Sequence, residues 1–190
     1  MTTDHPPEYL VGLVQELRKL PKETEWAEFK VNRAEPQEIG EYLSALANSA
    51  ALAGKAFAYL VWGLEDETHL VVGTQFSPEI TKVGNEELES WLLRLLSPRI
   101  HFRFYAVTVE GHPVVLLGIG RAFRHPVQFQ GHEYIRVGSS KKKLKDYPEK
   151  ARQLWRILDA TPFEDGIAVE RLASDEVLLR IDYPAFFELT

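Results

Sequence analysis

Cysteine is absent from this chain of 190 residues. Its absence excludes a thiol nucleophile, a cysteine-ligated zinc site, an iron–sulfur cluster and any disulfide framework. Long apolar runs are absent too, and a membrane-spanning helix needs about 18 or more predominantly apolar residues. The opening sequence MTTDHPPEYL lacks the basic stretch and apolar core of a secretory signal. We therefore expect a cytoplasmic protein that makes no use of the membrane.

Motifs for several common nucleotide and metal sites are also missing. The one Gly-Lys pair, Gly54-Lys55, is followed by Ala56, so the phosphate-binding P-loop pattern is not met. There is no G-x-G-x-x-G sequence, and the six histidines show no H-x-x-x-H spacing. The sequence thus gives no indication of an ATPase, a dinucleotide-dependent enzyme or a histidine-ligated metal.

The composition is that of a globular protein. Hydrophobic residues make up 45% and charged residues 26% of the chain, which excludes general disorder. We predict an N-terminal helix within residues 1–22, a main domain over 23–158 and an acidic extension over 159–190. The chain stops at IDYPAFFELT without a polar ending, which favours truncation from a longer protein with downstream domains. Alternatively, Phe186 and Phe187 pack on their own domain.

Charge is distributed unevenly along the chain. The net charge is −6, yet residues 121–156 hold ten Lys and Arg against three Asp and Glu, a local charge of +7. A basic segment on an acidic protein can attract phosphates, although runs of lysine are also common in solvated loops. The candidate nucleic-acid-binding residues in this segment are Arg124, Arg136, Ser139, Lys141, Lys142, Lys143 and Lys145.

Periodic apolar positions predict the main elements. Helical spacing marks residues 8–20, a helix from Pro36, a helix from Asn85 to Leu96 and a helix from Pro148 to Leu158. Extended segments are predicted at 24–31, 57–63, 69–74, 101–109, 113–119 and 133–137. The run at 57–63 is apolar throughout, as in a strand buried on both faces, and we expect it to form a hairpin with 69–74.

The segment ETEWAEFK contains a carboxylate and an ammonium two residues apart. In a strand Glu28 and Lys30 lie on one face, either as a surface ion pair or as the E-x-K pattern of metal nucleases. Glu23 would reach Glu28 only from a turn or through a bulge. With the acids at 65–67, these carboxylates could hold Mg²⁺ or Mn²⁺ and activate water on a phosphodiester.

The segment YIRVGSSKKKLKDYP combines a strand end with a basic turn. Glycine and serines leave backbone N–H groups available, and successive N–H groups in a turn can form an anion-binding nest. This pattern suits a nucleic-acid phosphate better than a free nucleotide.

The order of these motifs resembles that of the Schlafen-type AlbA_2 domain family. The matching pieces are ETEWAEFK at 23–30, ALANS at 45–49, WGLED at 62–66 with VVGT at 71–74, and YIRVGS at 134–139. The loop after Asn48 is longer than in the commonest form, which has a Gly-Gly pair there. The resemblance covers residues 10–158 and implies an α+β fold, with a mixed, mainly antiparallel sheet and helices packed on it.

The resemblance implies two functions. Bacterial members are described as DNA-binding modules of transcriptional regulators, which is the function we predict here. Animal Schlafen proteins include metal-dependent endoribonucleases, whose three acids correspond by motif to Glu23, Glu28 and Asp66, with Lys30 beside them. A third alternative is a dimerisation module that binds no nucleic acid. The family often pairs two lobes, so we also expect a homodimer.

Overall fold

The computed structural model describes residues 6–21 and 24–160. These residues belong to one compact unit of α+β class, as expected. The helices of the described part are α1 (Pro7–Leu17), α2 (Pro36–Leu52), α3 (Leu88–Leu95) and α4 (Pro148–Asp159). The strands are β1 (Ala27–Lys30), β2 (Phe57–Trp62), β3 (Lys82–Val83), β4 (Glu86–Glu87), β5 (Leu96–Ser97), β6 (Phe102–Val109), β7 (His112–Gly120), β8 (Gln128–Phe129), β9 (His132–Val137) and β10 (Ser140–Lys143).

The main sheet has the order β1-β2-β7-β6. Strands β1 and β2 are parallel, because α2 crosses over between them, and the other pairs are antiparallel. A second sheet has the order β10-β9-β8-β5, and β3 and β4 form a small ribbon. The mixed, mainly antiparallel arrangement is the one predicted.

Helices cover both faces of the main sheet. The first core lies under α2, where Leu43 and Leu46 pack with Leu60 and Trp62 of β2. The second lies under α1, which contributes Leu10, Val14 and Leu17. Strand β2 is therefore buried on both sides, which explains its unbroken apolar sequence. The N-terminal helix belongs to the same folded unit as the rest of the described chain.

Glycine at position 40 allows α2 and β8 to approach closely. A Cβ added at Gly40 would lie 2.1 Å from the ring of Phe129. This distance is far below van der Waals contact, so no larger residue fits without displacing the ring. The glycine lowers helix propensity, but it lets the second sheet pack directly on α2.

Two predicted elements differ from the structure. Residues 69–74 form no strand and make only one bridge, between Val71 and Leu64. Both edges of β2 are already paired, with β1 and β7, so the predicted hairpin has no free edge to join. The third helix begins at Leu88 rather than Asn85, because Glu86 and Glu87 pair with the preceding strand β3.

Candidate nucleic-acid interface

Glu28 is the most buried carboxylate among the described residues, with 5% of its surface exposed. Alternation along β1 directs Ala27 and Phe29 into the core under α1 and Glu28 and Lys30 toward α2. The hydroxyl of Tyr42 donates to Glu28 Oε1 at 2.8 Å, and Lys30 Nζ lies 2.6 Å from the same oxygen. On the other side, Arg136 Nη1 lies 2.5 Å from Glu28 Oε2. The predicted proximity of Glu28 and Lys30 on one strand face is therefore observed.

The ring of Tyr42 lies at the centre of three cations. The charged groups of Lys30, Arg136 and Lys141 are 5.4, 5.7 and 4.5 Å from its centroid. Such contacts are favourable because the face of an aromatic ring is electron-rich. Lys141 Nζ also pairs with Glu41 Oε2 at 2.6 Å. We call these six residues the Tyr42 cluster: Glu28, Lys30, Glu41, Tyr42, Arg136 and Lys141.

The cluster shifts the ionisation of its members. Burial, followed by the charge of Glu28, raises the pKa of Tyr42 to about 12. Burial alone would lower the pKa of Lys30, but the hydrogen bond and charge of Glu28 outweigh it and leave that pKa raised. Burial opposes ionisation of Glu41, yet the Lys141 ammonium leaves its pKa lowered. In the cluster two acidic side chains thus face three basic ones.

Arg136 lies inside the protein rather than on its surface. Only 1% of the residue is exposed, and its backbone N–H donates to Ser49 Oγ at 2.8 Å. The ion pair with Glu28 is short but poorly aligned, so Arg136 Nε and Nη1 have no hydrogen-bond acceptor. Its guanidinium has no surface to offer to a phosphate in this conformation, in contrast to the role predicted from its place in the basic segment.

Polar residues of α2, in the ALANS motif and directly before it, attach α2 to the second sheet. Ser44 Oγ donates to the carbonyl of Val127 and accepts from the N–H of Tyr134, at 2.7 and 3.0 Å. Asn48 Nδ2 donates to the carbonyls of Val127 and Tyr134, at 2.9 Å each, and Oδ1 accepts from the Val127 N–H. These bonds satisfy the backbone of β9 beyond the two residues that pair with β8. The motif therefore fixes where the β9–β10 hairpin lies.

The lysine run forms a strand, not the loop expected from the sequence. Strand β10 pairs antiparallel with β9, with Lys141 opposite Arg136 and Lys143 opposite Tyr134. The turn needs a left-handed residue, which Gly138 supplies at φ 58°. Its N–H donates to Glu25 Oε1, which also pairs with Lys150 Nζ at 2.8 Å. Because this N–H is occupied and Ser140–Lys143 are in a ladder, the predicted anion nest is not formed there.

Alternation divides the lysines between the two faces of the hairpin. Lys141 points into the Tyr42 cluster, and Lys143 lies half-buried on the same face. Lys142 and Lys145 are exposed, and neither has an acidic partner among residues 6–21 and 24–160. Ser139 is exposed in the turn, and Arg124 is exposed in the segment between β7 and β8. The hairpin thus presents ordered, solvated positive charge.

The three predicted metal ligands are not brought together in the described part of the chain. Glu23 lies outside the described residues, and Asp66 is exposed in the turn after β2. The next residues of that loop turn toward α1, where the ring of His69 packs on Phe29 at 4.3 Å, on the face opposite Glu28. No group of three or more His, Asp or Glu side chains capable of holding a metal occurs within the described ranges.

The described surroundings of Glu28 do not fit a divalent cation. Glu28 Oε1 already contacts Tyr42 and Lys30, Oε2 is in an ion pair with Arg136, and the two cations would repel a metal ion. Because Glu23 lies outside the described residues, the complete three-carboxylate site is not seen. The catalytic and metal roles of Glu23, Glu28, Lys30 and Asp66, with Mg²⁺ or Mn²⁺, stay predictions. Sequence reasoning missed Tyr42, Glu41 and Glu25. The only signal for Glu41 and Tyr42 was a polar group on the largely buried helix α2, and for Glu25 it was a position just before the E-x-K strand.

The geometry defines a class of protein: an α+β domain that carries a basic hairpin beside a buried ionic cluster. The chain belongs to the Schlafen AlbA_2 family, whose model matches residues 23–145. This match includes the cluster and the whole lysine run, and it supports an association with nucleic acid. No curated protein matches the chain significantly.

Twelve chains of solved structures match this protein, including the following two, both at low sequence identity. The DIP2311 protein from Corynebacterium diphtheriae is 20% identical with a TM-score of 0.46, over 72% of this chain and 30% of that chain. The N-terminal domain of an ATP-dependent DNA helicase RecG-related protein from Nitrosomonas europaea is 19% identical with a TM-score of 0.42. That match covers 70% of this chain and 90% of the domain. The chain spans less than a third of DIP2311.

The helices give no indication of membrane insertion. Among residues 6–21 and 24–160, none is both long and apolar enough to cross a bilayer.

Proposed function

We propose that this domain binds the backbone of nucleic acid, with DNA as the first candidate. The contacts would be made by Lys142 of the β9–β10 hairpin and Lys145 of the turn that follows it. The observation that carries the proposal is the exposure of Lys142 and Lys145 without acidic partners in the described part of the chain, on an ordered strand and turn. Lysine is a point charge, so these contacts would position the domain on phosphates without reading bases.

The Tyr42 cluster supports this role indirectly. Lys141 is neutralised by Glu41 and packs on Tyr42, so it fixes the hairpin rather than offering a free charge. Arg136 and Glu28 hold the other strand of the hairpin from inside. The lysines are thereby presented on a rigid support, which reduces the entropy lost on binding. The acidic remainder of the chain would repel nucleic acid and orient the basic face toward it.

The test is a titration of labelled duplex DNA at several salt concentrations, followed by fluorescence anisotropy. Each lysine that neutralises a phosphate steepens the dependence of log K on log salt by about one unit. Lys142→Ala/Lys145→Ala should weaken binding to all sequences alike and flatten that slope by about 2. The control is Lys19→Ala/Lys82→Ala, which removes two exposed charges elsewhere, one of them paired with Glu16, and should leave both values unchanged.

Two outcomes would contradict the proposal. Equal weakening by both double variants would mean that only net charge matters, and no binding at low salt would exclude the function. A parallel titration with RNA and Mn²⁺ addresses the endoribonuclease alternative, since cleavage would give shorter products. The part in a transcriptional regulator, the homodimer and the cytoplasmic location remain predictions, and light scattering of the purified chain tests the dimer.

A further inference from the structure

A small pocket lies between the second sheet and α4, outside the Tyr42 cluster. Its volume is about 230 Å³, and its lining includes Pro98, His125, Pro126, Gln128, Glu133 and Trp155. Pockets for drug-sized ligands measure about 300–1,000 Å³, so this one suits a single planar group of one or two rings. Its walls are mainly polar, and the rings of Pro98, Pro126 and Trp155 add flat apolar surface beside the polar side chains.

Trp155 provides an aromatic surface that the core does not use. Its neighbour Leu154 is fully buried, whereas Trp155 is 39% exposed on α4. The indole and the ring of His125 form a T-shaped contact, with the centroids 6.0 Å apart and the planes at 78°. This contact holds the side chain in place beside the pocket, and part of the side chain stays exposed. An exposed aromatic side chain is the kind of platform on which proteins stack unpaired bases.

The polar wall of the pocket distinguishes a base from a phosphate. Gln128 and Glu133 are opposite each other on β8 and β9, and Gln128 Nε2 donates to Glu133 Oε1 at 3.2 Å. A carboxylate repels a phosphate, but it accepts hydrogen bonds from an exocyclic amino group. Gln128 can both donate and accept. This pair therefore favours adenine, cytosine or guanine over uracil or thymine, which lack an amino group.

Glu133 of the pocket and Lys142 lie on the same face of the second sheet, with the buried Ile135 between them. Side chains alternate along a strand, so Glu133 and Ile135 point to the same face, and Lys142 is directly opposite Ile135. Two exposed arginines, Arg152 and Arg156, are near Trp155 in the sequence of α4, and Arg152 pairs with Glu149. A strand whose phosphates follow the basic residues could thus turn one base toward the indole.

We propose that this pocket binds one unpaired, amino-bearing nucleobase of a single-stranded nucleic acid, stacked on Trp155 and hydrogen-bonded to Glu133 and Gln128. The inference rests on the proposed function, because the lysines supply the phosphate contacts. It adds a preference for single strands and for base type, neither of which follows from charge alone. A duplex cannot use the pocket unless a base leaves the stack, which costs free energy.

The experiment compares single-stranded oligonucleotides of adenine, cytosine and thymine with a duplex, using the full chain. Removing a stacking aromatic weakens single-strand binding by about 5- to 150-fold per base. Trp155→Ala should show such a loss for adenine and cytosine strands, a smaller one for thymine, and none for the duplex. Trp155→Phe should retain most of the affinity. The matched control is Phe57→Ala, since Phe57 is also 39% exposed and lies outside the pocket.

A second variant tests the polar wall. Glu133→Ala should reduce the preference for adenine and cytosine over thymine without altering the salt slope, because no phosphate contact is removed. Equal losses on single strands and duplex in Trp155→Ala, or no loss, would overturn the pocket assignment while leaving backbone binding in place. Absence of all binding by the wild-type chain would instead defeat the proposed function, so the two failures are distinguishable.

Discussion

Two arginine–glutamate pairs of the same length lie in contrasting parts of this domain. Arg136 Nη1 is 2.5 Å from Glu28 Oε2 under α2, and Arg18 Nη1 is 2.5 Å from Glu110 Oε1 at the end of α1. The side chains of the first pair are 1% and 6% exposed, and those of the second are 21% and 52% exposed. Judged by distance alone, the two ion pairs would be equally strong. Water screens only the second pair, because only its side chains are substantially exposed.

The contrast extends to the two faces of the main sheet. Under α1 the core is built from apolar side chains, and the charged contacts lie at its periphery. Under α2 the apolar core borders the Tyr42 cluster and the side chains that bond to the backbone of β9. The α1 face therefore supplies stability in the ordinary way. On the α2 face, charged side chains are buried as well. They lie where the second sheet and its basic hairpin are attached.

The largest expected effect is the loss of one partner from the buried pair. Glu28→Gln keeps the shape of the side chain but leaves Arg136 and Lys30 without their countercharge. Breaking a buried pair in this way typically costs about 3–5 kcal/mol. We expect urea denaturation to show a loss of that order in the free energy of unfolding. Glu110→Gln at the exposed pair should cost less than about 1 kcal/mol.

Replacing both buried partners gives the complementary experiment. Glu28→Leu/Arg136→Met removes the charges together, and such exchanges are often neutral or stabilising. The double variant should therefore be more stable than Glu28→Gln. If Glu28→Gln and Glu110→Gln prove equally mild, the Tyr42 cluster is more hydrated than its geometry indicates, and the contrast between the two pairs disappears.

The helices on the two faces also differ in how they tolerate a methyl group. A Cβ at Gly40 of α2 would overlap the Phe129 ring, whereas a Cβ at Gly12 of α1 meets nothing within 4 Å. Gly40→Ala should lower the free energy of unfolding by about 1–3 kcal/mol through overpacking. Gly12→Ala should raise it by about 0.5–1 kcal/mol, because alanine has the higher helix propensity. Thermal or urea denaturation checks both, and a destabilised Gly12→Ala would contradict the packing described for α1.

The elements of the fold were largely predictable because they follow from local periodicity. The helix from Pro36 and the apolar strand beginning at Phe57 are found where the pattern placed them. The segment 69–74 was misassigned because its β-forming residues have no strand edge to pair with. Strand pairing is decided by the whole sheet, so a local pattern cannot reveal that an edge is occupied. The short strand β8 was missed for the same reason.

The candidate site was predictable only in part. The alternation rule brought Glu28 and Lys30 together correctly, because they are two residues apart on one strand. The contact of Glu28 with Arg136 joins positions more than a hundred residues apart, and no spacing in the sequence reports it. The basic segment lies in and next to the β9–β10 hairpin, but the sequence could not tell that Arg136 is buried while Lys142 is exposed. That difference depends on strand register, which is fixed by Ser44, Asn48 and Ser49.

The smallest expected effect is a loss of folding stability at alkaline pH. It compares Tyr42 on the α2 face with Tyr59 on the α1 face. Tyr42 has its pKa raised to about 12, above the ordinary value of about 10. The folded state therefore holds the phenolic proton more tightly than the unfolded state. This contribution to stability is fully present below about pH 10 and is lost as the pH rises through 12.

The raised pKa of Lys30 has the same sign, so its contribution also declines at alkaline pH. We expect the urea midpoint of the wild-type chain to fall between about pH 9 and 11.5, while Tyr42→Phe, which has no phenolic proton to lose, falls less over the same range. Burial also raises the pKa of Tyr59, which packs against the core under α1 and is not part of the cluster, so Tyr59→Phe is the matched control. A parallel fall in the wild type and Tyr42→Phe would show that the Tyr42 hydroxyl is not held by Glu28. A smaller fall in Tyr42→Phe than in Tyr59→Phe would locate the alkaline sensitivity in the cluster that supports the hairpin.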